Sequence, residues 1–391
     1  MSTGLTAAGK TGPLAGLKVI EMAGLGPVPL AALMLSEMGA EVLRIERADT
    51  TPPLLSLPEA YDLDRHGRSI LRLDLKRKDG AALLLSLAEK ADILVEGFRP
   101  GVMERLGLGP DVLVRHNPAL IYGRLTGFGQ DGPLSKRAGH DITYLAYCGL
   151  LHAIGRRGSP PVPPLNLVAD QGGGAMMLIA GVLAALFQRS RTGKGEVIDA
   201  AMVEGAAMLA APIHAFMAAG LWSDRRGHNL LDSGAPFYDT YETADGKHIA
   251  VGCLEPRFFA EFVRLLPLDD RFLESQYDRA MWPAMRAAIA ARVMDKTRDE
   301  WTGLFAGSDA CVAPVLSLAE ARDHPQARAR RSFARSGELE RPAPAPRFSQ
   351  AASGLAVAPA EAARQPAHVL ARFGLSESEI DALVRSGLFD R

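Results

Sequence analysis

Two segments of the sequence pair ionisable side chains with glycine in a way that suits proton transfer. Gly139-His140-Asp141 precedes an apolar stretch, and Asp170 is followed by Gln171 and three glycines before a long apolar run. Histidine and a partly buried carboxylate can be tuned towards neutral pH for general acid–base work. Each acid could equally be a helix N-cap, a position that aspartate favours. The glycines after Asp170 favour a further role, because they let a ligand approach N–H groups at a helix start.

A third acid, Glu255, stands in Gly252-Cys253-Leu254-Glu255-Pro256, at the end of an apolar segment. Taken alone, this glutamate is typical of a solvated surface position.

A glycine turn near the N-terminus nearly matches a dinucleotide-binding fingerprint. It reads Gly24-x-Gly26-x-x-Pro29, and Glu46 follows where a ribose-binding acid would stand. However, the third glycine, which allows close packing of helix on strand, is a proline, and Glu46 is followed at once by Arg47. A Rossmann-like layout that binds something other than NAD is therefore favoured over an NAD site.

The elements that must position these residues alternate between strand and helix. Apolar runs predict strands at 17–22, 41–46, 69–75, 93–96 and 120–125, with helices at 29–38 and 80–90 between them. Strand, glycine turn, helix and strand form a βαβ unit, which implies a parallel sheet. A long helix at 174–189, a strand at 197–200 and a helix at 202–220 follow.

Beyond residue 222 the pattern changes. Segments 238–242 and 248–252, joined by a turn at 244–247, predict antiparallel strands, and helices with Trp282 and Trp301 follow. The Pro- and Ala-rich stretch 338–366 is typical of an extended connector. Ser376 to Glu379 opens a last helix with a capping box.

Composition excludes several classes of protein. The 391 residues carry 44 basic and 45 acidic side chains, which argues against nucleic-acid binding. Three scattered cysteines indicate neither a disulfide scaffold nor a metal site, and suit the cytoplasm. Met1–Lys10 lacks the apolar core of a secretory signal. The apolar stretch Ala175–Phe187 is shorter than the ~20 residues of a membrane span, so we predict a buried helix and no membrane partner.

Taken together, the segments resemble the family III CoA-transferases (the CaiB/BaiF superfamily), and within them most closely the α-methylacyl-CoA racemase branch. The resemblance covers nearly the whole chain. Gly139-His140-Asp141 with the later Asp170 is specific to that branch, because the transferases share the aspartate but are not expected to have a histidine at 140. The matching segments are Leu14–Glu21, Glu96–Val102, Ile121–Gly129, Ala138–Ile142, Pro164–Asp170, Gly193–Gly205, Gly234–Tyr238 and Asp309–Val315.

The resemblance implies an α/β fold with a discontinuous large domain. Residues 1–200 would form a Rossmann-like CoA-binding domain completed by 330–391, with a helical linker at 201–229 and a small α+β domain at 230–325. Two chains would form an interlocked homodimer, each threaded through a hole in the other. The active site would lie where one subunit's large domain meets the other's small domain.

The resemblance also implies roles for individual residues. His140 and Asp170 would exchange the α-proton of a 2-methylacyl-CoA thioester on opposite faces, through an enolate, and Glu255 from the facing subunit would orient His140. No cofactor is implied, since coenzyme A is part of the substrate. The implied CoA-binding residues are Arg47 and Arg99 at the phosphates, Arg72, Leu73, Asp74 and Leu75 at the adenine, and Gly139, Asp141, Ile142, Thr143 and Tyr144.

Three alternatives remain open from the sequence. A CoA-transferase would use Asp170 as a nucleophile and form an aspartyl-CoA thioester; His140 speaks against it, because carboxylate attack needs no base there. An NAD-dependent dehydrogenase would use the glycine turn. A non-catalytic CoA-binding protein would have no need of His140, Asp170 and Glu255.

Overall fold

The computed structural model describes residues 11–48 and 57–389, so the prediction made for Met1–Lys10 lies outside the described residues. The strands are β1 Lys18–Met22, β2 Glu41–Arg47, β3 Arg68–Leu73, β4 Ile93–Glu96, β5 Ile121–Thr126, β6 Val197–Ala201, β7 Tyr238–Glu242, β8 His248–Gly252, β9 Val312–Pro314, β10 Phe333–Ser336 and β11 Leu339–Pro342. The α-helices are α1 Pro27–Glu37, α2 Lys78–Glu89, α3 Val102–Arg105, α4 Pro110–His116, α5 Asp141–Tyr147, α6 Leu150–Ala153, α7 Met176–Thr192, α8 Met202–Leu209, α9 Ala211–Ala218, α10 Pro256–Leu265, α11 Arg271–Glu274, α12 Trp282–Val293, α13 Arg298–Phe305, α14 Leu318–Asp323, α15 Pro325–Arg330, α16 Pro366–Phe373 and α17 Glu377–Arg385. A π-helical turn, Leu167–Ala175, leads directly into α7.

The chain forms two compact units. Unit 1 comprises the chain up to Cys148, Leu165–Leu209 and everything from Ala329 onward; unit 2 comprises Gly149–Pro164 and Ala210–Arg328. In this division 201–209 belongs to unit 1, and 149–164 and 210–328 belong to unit 2. The functional domain bounds stay a prediction.

Unit 1 is built on a six-stranded sheet with the order β3-β2-β1-β4-β5-β6, in which every neighbouring pair is parallel. This order is that of the doubly wound Rossmann fold. Strands β1 to β5 are almost continuously buried, as expected where helices cover both faces of a parallel sheet, whereas the edge strand β6 is buried only at its end. The predicted Rossmann-like α/β fold is confirmed.

The C-terminal segment returns to this sheet. Val369, Leu370 and Phe373 of α16 are buried in the same apolar cluster as the side chains of β1, β2 and β4. The Lys18 Nζ donates to the carbonyl of Phe373 at 3.0 Å, which ties the end of α16 to the start of β1.

Unit 2 combines a three-stranded antiparallel sheet, β7-β8-β9, with helices. Its core is rich in aromatic residues, among them Phe237, Phe259, Phe262 and Trp301, which are buried. Helix α10 packs through its apolar face, since Phe259, Phe262 and Val263 recur at helical spacing. The predicted α+β character is present.

Two sequence predictions were wrong in detail. The helix expected at 202–220 is two helices, α8 and α9, because Pro212 lacks the N–H that a continuous helix requires and would crowd the preceding turn. The connector expected from 338 begins with β11, which pairs with β10 through a two-residue turn, and Gly337 there has a positive φ of 62°.

The apolar helix predicted to be buried is buried on one face only. Leu178, Ile179 and Val182 are buried, whereas Phe187 is 68% exposed. Leu167–Thr192 would be long and apolar enough to cross a membrane by length and composition, but core helices of soluble proteins pass the same test.

Candidate active site

The first cleft of unit 1 lies outside the carboxyl ends of three neighbouring strands. It has a volume of about 540 Å³ and is lined by residues that follow β1, β4 and β5. The strand order reverses between β1 and β4, which is where doubly wound folds bind their ligands. His140 and Asp170, 30 positions apart in the sequence, both line this cleft. Of the predicted CoA-binding residues, Arg99, Gly139 and Tyr144 line it too.

His140 is the N-cap residue of α5, and Thr143 fixes its backbone. The N–H of His140 donates to Oγ1 of Thr143 at 2.9 Å, and that hydroxyl donates to the carbonyl of His140 at 2.7 Å. The N–H groups of Thr143 and Tyr144 also donate to this carbonyl. The imidazole is exposed in the cleft. A fixed main chain with an accessible ring suits a group that takes or gives a proton.

Asp170 lies inside the π-helical turn and is half-buried. It is therefore not the N-cap that the alternative interpretation required. Burial raises the pKa of its carboxyl group above the usual range, and the charge of Asp141 adds to this, while a hydrogen bond from Asn166 and the charge of His140 act against it. A raised pKa lets the carboxyl group hold a proton closer to neutral pH.

Asp141 is the first residue of α5 and is only 4% exposed. Its Oδ2 accepts the N–H of Ala169 at 2.8 Å and the N–H of Asp170 at 2.9 Å. A contact between this side chain and a ligand is therefore not evident, and its role as a CoA-binding residue stays a prediction.

Glycines at three positions around the first cleft allow close packing that a larger residue would prevent. A Cβ on Gly173 would lie 2.4 Å from the N atom of Ala206, and one on Gly205 would lie within 1.9 Å of the carbonyl oxygen of Gly173, so the π-helical turn packs backbone to backbone on α8. A Cβ on Gly139 would lie 2.5 Å from the ring of Tyr144. Burial raises the pKa of Tyr144 to about 12, which keeps its phenol protonated.

A second cleft of unit 1, about 580 Å³, adjoins the first. It lies at the ends of β1, β2 and β3, and it shares Phe98 and Val102 with the first cleft. Four of the predicted CoA-binding residues line it, namely Arg47, Leu73, Asp74 and Leu75. The structure thus places the predicted nucleotide residues beside the predicted proton-transfer residues, with Phe98 between the two clefts.

The turn after β4 contributes residues to both clefts and is fixed by the buried side chain of Glu96. Glu96 is fully buried; its Oε2 accepts the N–H of Phe98 at 2.6 Å and its Oε1 accepts Nε of Arg124 at 3.0 Å. These bonds fix the turn from which Arg99 reaches the first cleft. Sequence reasoning assigned no role to Glu96 or Phe98, although both stand in the Glu96–Val102 segment that carried the resemblance.

Some predicted residues line neither of these clefts. Arg72 is exposed, with its Nε 3.6 Å from Oε2 of Glu46, and Ile142 is 43% exposed. Glu255 lies in unit 2, exposed at the N-cap of α10, and its side chain forms no cap hydrogen bond. Sequence reasoning missed Arg137, which lines the first cleft; the basic pair just before Gly139 was the available signal.

The carboxylate of Glu46 is committed to arginines. Its Oε1 and Oε2 accept hydrogen bonds from Arg65 at 3.1 and 2.9 Å, and Nε of Arg44 lies 3.4 Å away. Glu46 lines the second cleft, but its carboxylate is occupied by these arginines, which disfavours the ribose-binding role that the dinucleotide fingerprint would require. Across 11–48 and 57–389, no group of three or more His, Cys, Asp or Glu side chains could hold a metal ion, and the three cysteines are free.

Comparison with known proteins places the chain in a family. A profile of CoA-transferase family III matches residues 14–368. Alpha-methylacyl-CoA racemase of Mus musculus is 46% identical over 374 residues, covering 94% of this chain and 95% of that protein. The Homo sapiens protein of the same name is 47% identical over 336 residues, covering 85% and 86%. A solved CAIB/BAIF family protein from Brucella suis shares the fold, with a TM-score of 0.77 at 24% identity, covering 93% of this chain and 100% of that one. The chain belongs to CoA-transferase family III.

Proposed function

We propose that the protein is an α-methylacyl-CoA racemase, which interconverts (2R)- and (2S)-2-methylacyl-CoA thioesters by proton transfer through an enolate. The observation that carries the proposal is the pairing of His140 with Asp170 in one cleft. Two groups that can each hold or release a proton are what inversion at an acidic carbon requires. The names of the relatives at 46% and 47% identity agree with this reaction.

In the proposed mechanism the two groups share one proton. The α-proton next to a thioester is weakly acidic, so one group acts as base on one face while the other, protonated, reprotonates the opposite face. The raised pKa of Asp170 suits this, because a carboxylic acid with its usual pKa would hold almost no proton near neutral pH. The roles reverse for the other enantiomer.

The second cleft would hold the nucleotide end of coenzyme A. Arg47 at its rim and Arg99 in the first cleft could pair with the phosphates, since guanidinium groups bind phosphate oxygens bidentately. Leu73 and Leu75 offer apolar contact to the adenine. The proposed reaction needs no cofactor, since coenzyme A is part of the substrate.

The test uses one epimer of a 2-methylacyl-CoA in deuterated buffer. We expect the substrate to lose its chirality while it takes up a matching amount of deuterium at the α-carbon. Chiral chromatography measures the first change and proton NMR the second. Folded protein that exchanges no α-proton would contradict the proposal. Transfer of CoA to an added free acid, with a hydroxylamine-sensitive adduct on Asp170, would instead establish the family III transferase reaction.

We further propose that two chains form an interlocked homodimer and that the partner subunit's Glu255 hydrogen-bonds His140. The large apolar side chains that unit 1 exposes are consistent with such a partner, because the cores of protein–protein interfaces are rich in apolar residues. They include Tyr147, Leu165, Leu167, Leu183, Phe187 and Met208.

A cytoplasmic location is also proposed, supported by the free cysteines.

Interlocking predicts that subunits do not exchange under native conditions. Wild-type and affinity-tagged dimers, each of twice 41.7 kDa, are mixed and then analysed by native mass spectrometry. We expect no hybrid after days at 25 °C, but about half hybrid after joint denaturation and refolding, because threaded chains must unfold to separate. Hybrids that form natively within an hour would contradict interlocking, and a monomer by light scattering would contradict the dimer.

A further inference from the structure

The carboxylate of Asp141 joins the two segments that carry the proposed proton-transfer residues. Its Oδ2 accepts N–H groups from Ala169 and Asp170 at 2.8 and 2.9 Å, across 28 and 29 positions of sequence. Both bonds are charge-assisted; the bond from Ala169 is buried and the bond from Asp170 is partly buried, and Asp141 itself is only 4% exposed. These two side-chain hydrogen bonds join α5 to the π-helical turn.

We propose that Asp141 is a positioning residue that fixes the backbone of Asp170, and hence the placement of its carboxyl group, relative to the substrate α-carbon. This inference rests on the proposed racemase function. A π-helical turn is a rare backbone form that is frequent at functional sites, and the N–H groups of Ala169 and Asp170 within this turn donate to the carboxylate of Asp141. This carboxylate therefore holds the backbone at the residue whose side chain enters the cleft.

Removal of the Asp141 carboxylate should displace Asp170 but leave His140 in place, although His140 is the nearer neighbour of Asp141 in sequence. The backbone of His140 is held by Thr143, through bonds of 2.9 and 2.7 Å in which the side chain of Asp141 takes no part. Loss of the Asp141 carboxylate therefore leaves one proton-transfer group fixed and loosens the other. This asymmetry distinguishes positioning from a general structural role.

The experiment compares α-proton exchange of each enantiomer with racemisation. The enantiomer served by His140 is identified as the one that Asp170→Asn still exchanges in deuterated buffer. In Asp141→Ala we expect racemisation to fall roughly 100-fold, mainly in kcat, because misplacement by about 1 Å can cost that much. Exchange of the His140 enantiomer should stay within about threefold of the wild-type rate. Hydrogen exchange should also be faster in the peptide containing Ala169 and Asp170.

Two further variants keep the test decisive. Asp141→Glu keeps the charge but moves the carboxylate by one methylene group, so it should show the same selective loss even if Asp141→Ala does not fold. Asp141→Asn retains an oxygen acceptor for both N–H groups and should recover most of the lost kcat. The control is Asp92→Asn. Asp92 also accepts a backbone N–H, that of Lys18 at 2.8 Å, but it lies at the amino end of β4, away from the cleft, so this variant should racemise like the wild type.

Wild-type racemisation in Asp141→Ala, or an equal loss of exchange for both enantiomers in folded Asp141→Ala or Asp141→Glu, would overturn the positioning role. A wild-type enzyme that neither racemises nor exchanges would overturn the proposed function itself. The two failures are thus distinguishable, because the first requires an active wild-type protein.

Discussion

Replacement of His140 by alanine is expected to lower racemisation roughly 10²- to 10⁴-fold, the usual contribution of a general acid–base group. Inversion needs a proton donor and a proton acceptor on opposite faces, so removing either one should leave only a small residual rate of racemisation. Asp170 remains, and it can still remove and return the α-proton on its own face. The variant should therefore exchange the α-proton of one enantiomer without inverting it, and leave the other enantiomer unexchanged.

The fold should tolerate this change, because the imidazole is exposed and the backbone of His140 is held by Thr143. Deuterium at the α-carbon is measured by NMR, and chirality by chromatography of the hydrolysed acid. His116→Ala is a matched control, since His116 is exposed on α4 and pairs with Glu89 at 3.0 Å. Wild-type racemisation in His140→Ala would contradict the two-base mechanism. CoA transfer that persists without α-proton exchange would favour the transferase instead.

The parallel sheet could be predicted from the sequence because its signals are local. Apolar runs such as Ile93–Glu96, glycine turns and intervening helices recur along the first 130 residues. The strands β1 to β5 and the helices α1 and α2 were recognised within two residues of their observed bounds, whereas α3 and α4 were not predicted. The strand order could not be read in this way, since it depends on pairings such as Val19 with Ile93, which are distant in sequence. The discontinuous large domain came from the family resemblance.

The candidate site was predictable in its residues but not in its geometry. His140 and Asp170 were both singled out, yet the local pattern at Asp170 suggested a helix cap. Gly173 lets the π-helical turn pack backbone to backbone on Gly205 of α8, a partner that no local pattern identifies. Asp141 is likewise a surface cap by local pattern, and only its two N–H partners explain its burial.

Replacement of Asp170 by asparagine tests the other half of the proton pair and its pH dependence. In the proposed mechanism, one proton is shared between His140 and Asp170 of the wild-type enzyme. With both groups protonated there is no base, and with both deprotonated there is no acid, so kcat/KM should follow a bell-shaped curve. Burial raises the pKa of Asp170, so the acid limb of this curve, where the second proton binds, should lie at higher pH than it would with an ordinary aspartate.

In Asp170→Asn, racemisation should fall by roughly 10²- to 10⁴-fold. Exchange should persist for the enantiomer that His140→Ala no longer exchanges. Its rate should rise with pH to a plateau, because the base must be deprotonated and no carboxylic acid is needed; the alkaline limb of the bell is lost. The backbone N–H of residue 170 can still donate to Asp141, so the fold should survive, which a thermal melt checks. A bell-shaped exchange profile in this variant, or inversion at the wild-type rate, would show that Asp170 is not the second proton-transfer group.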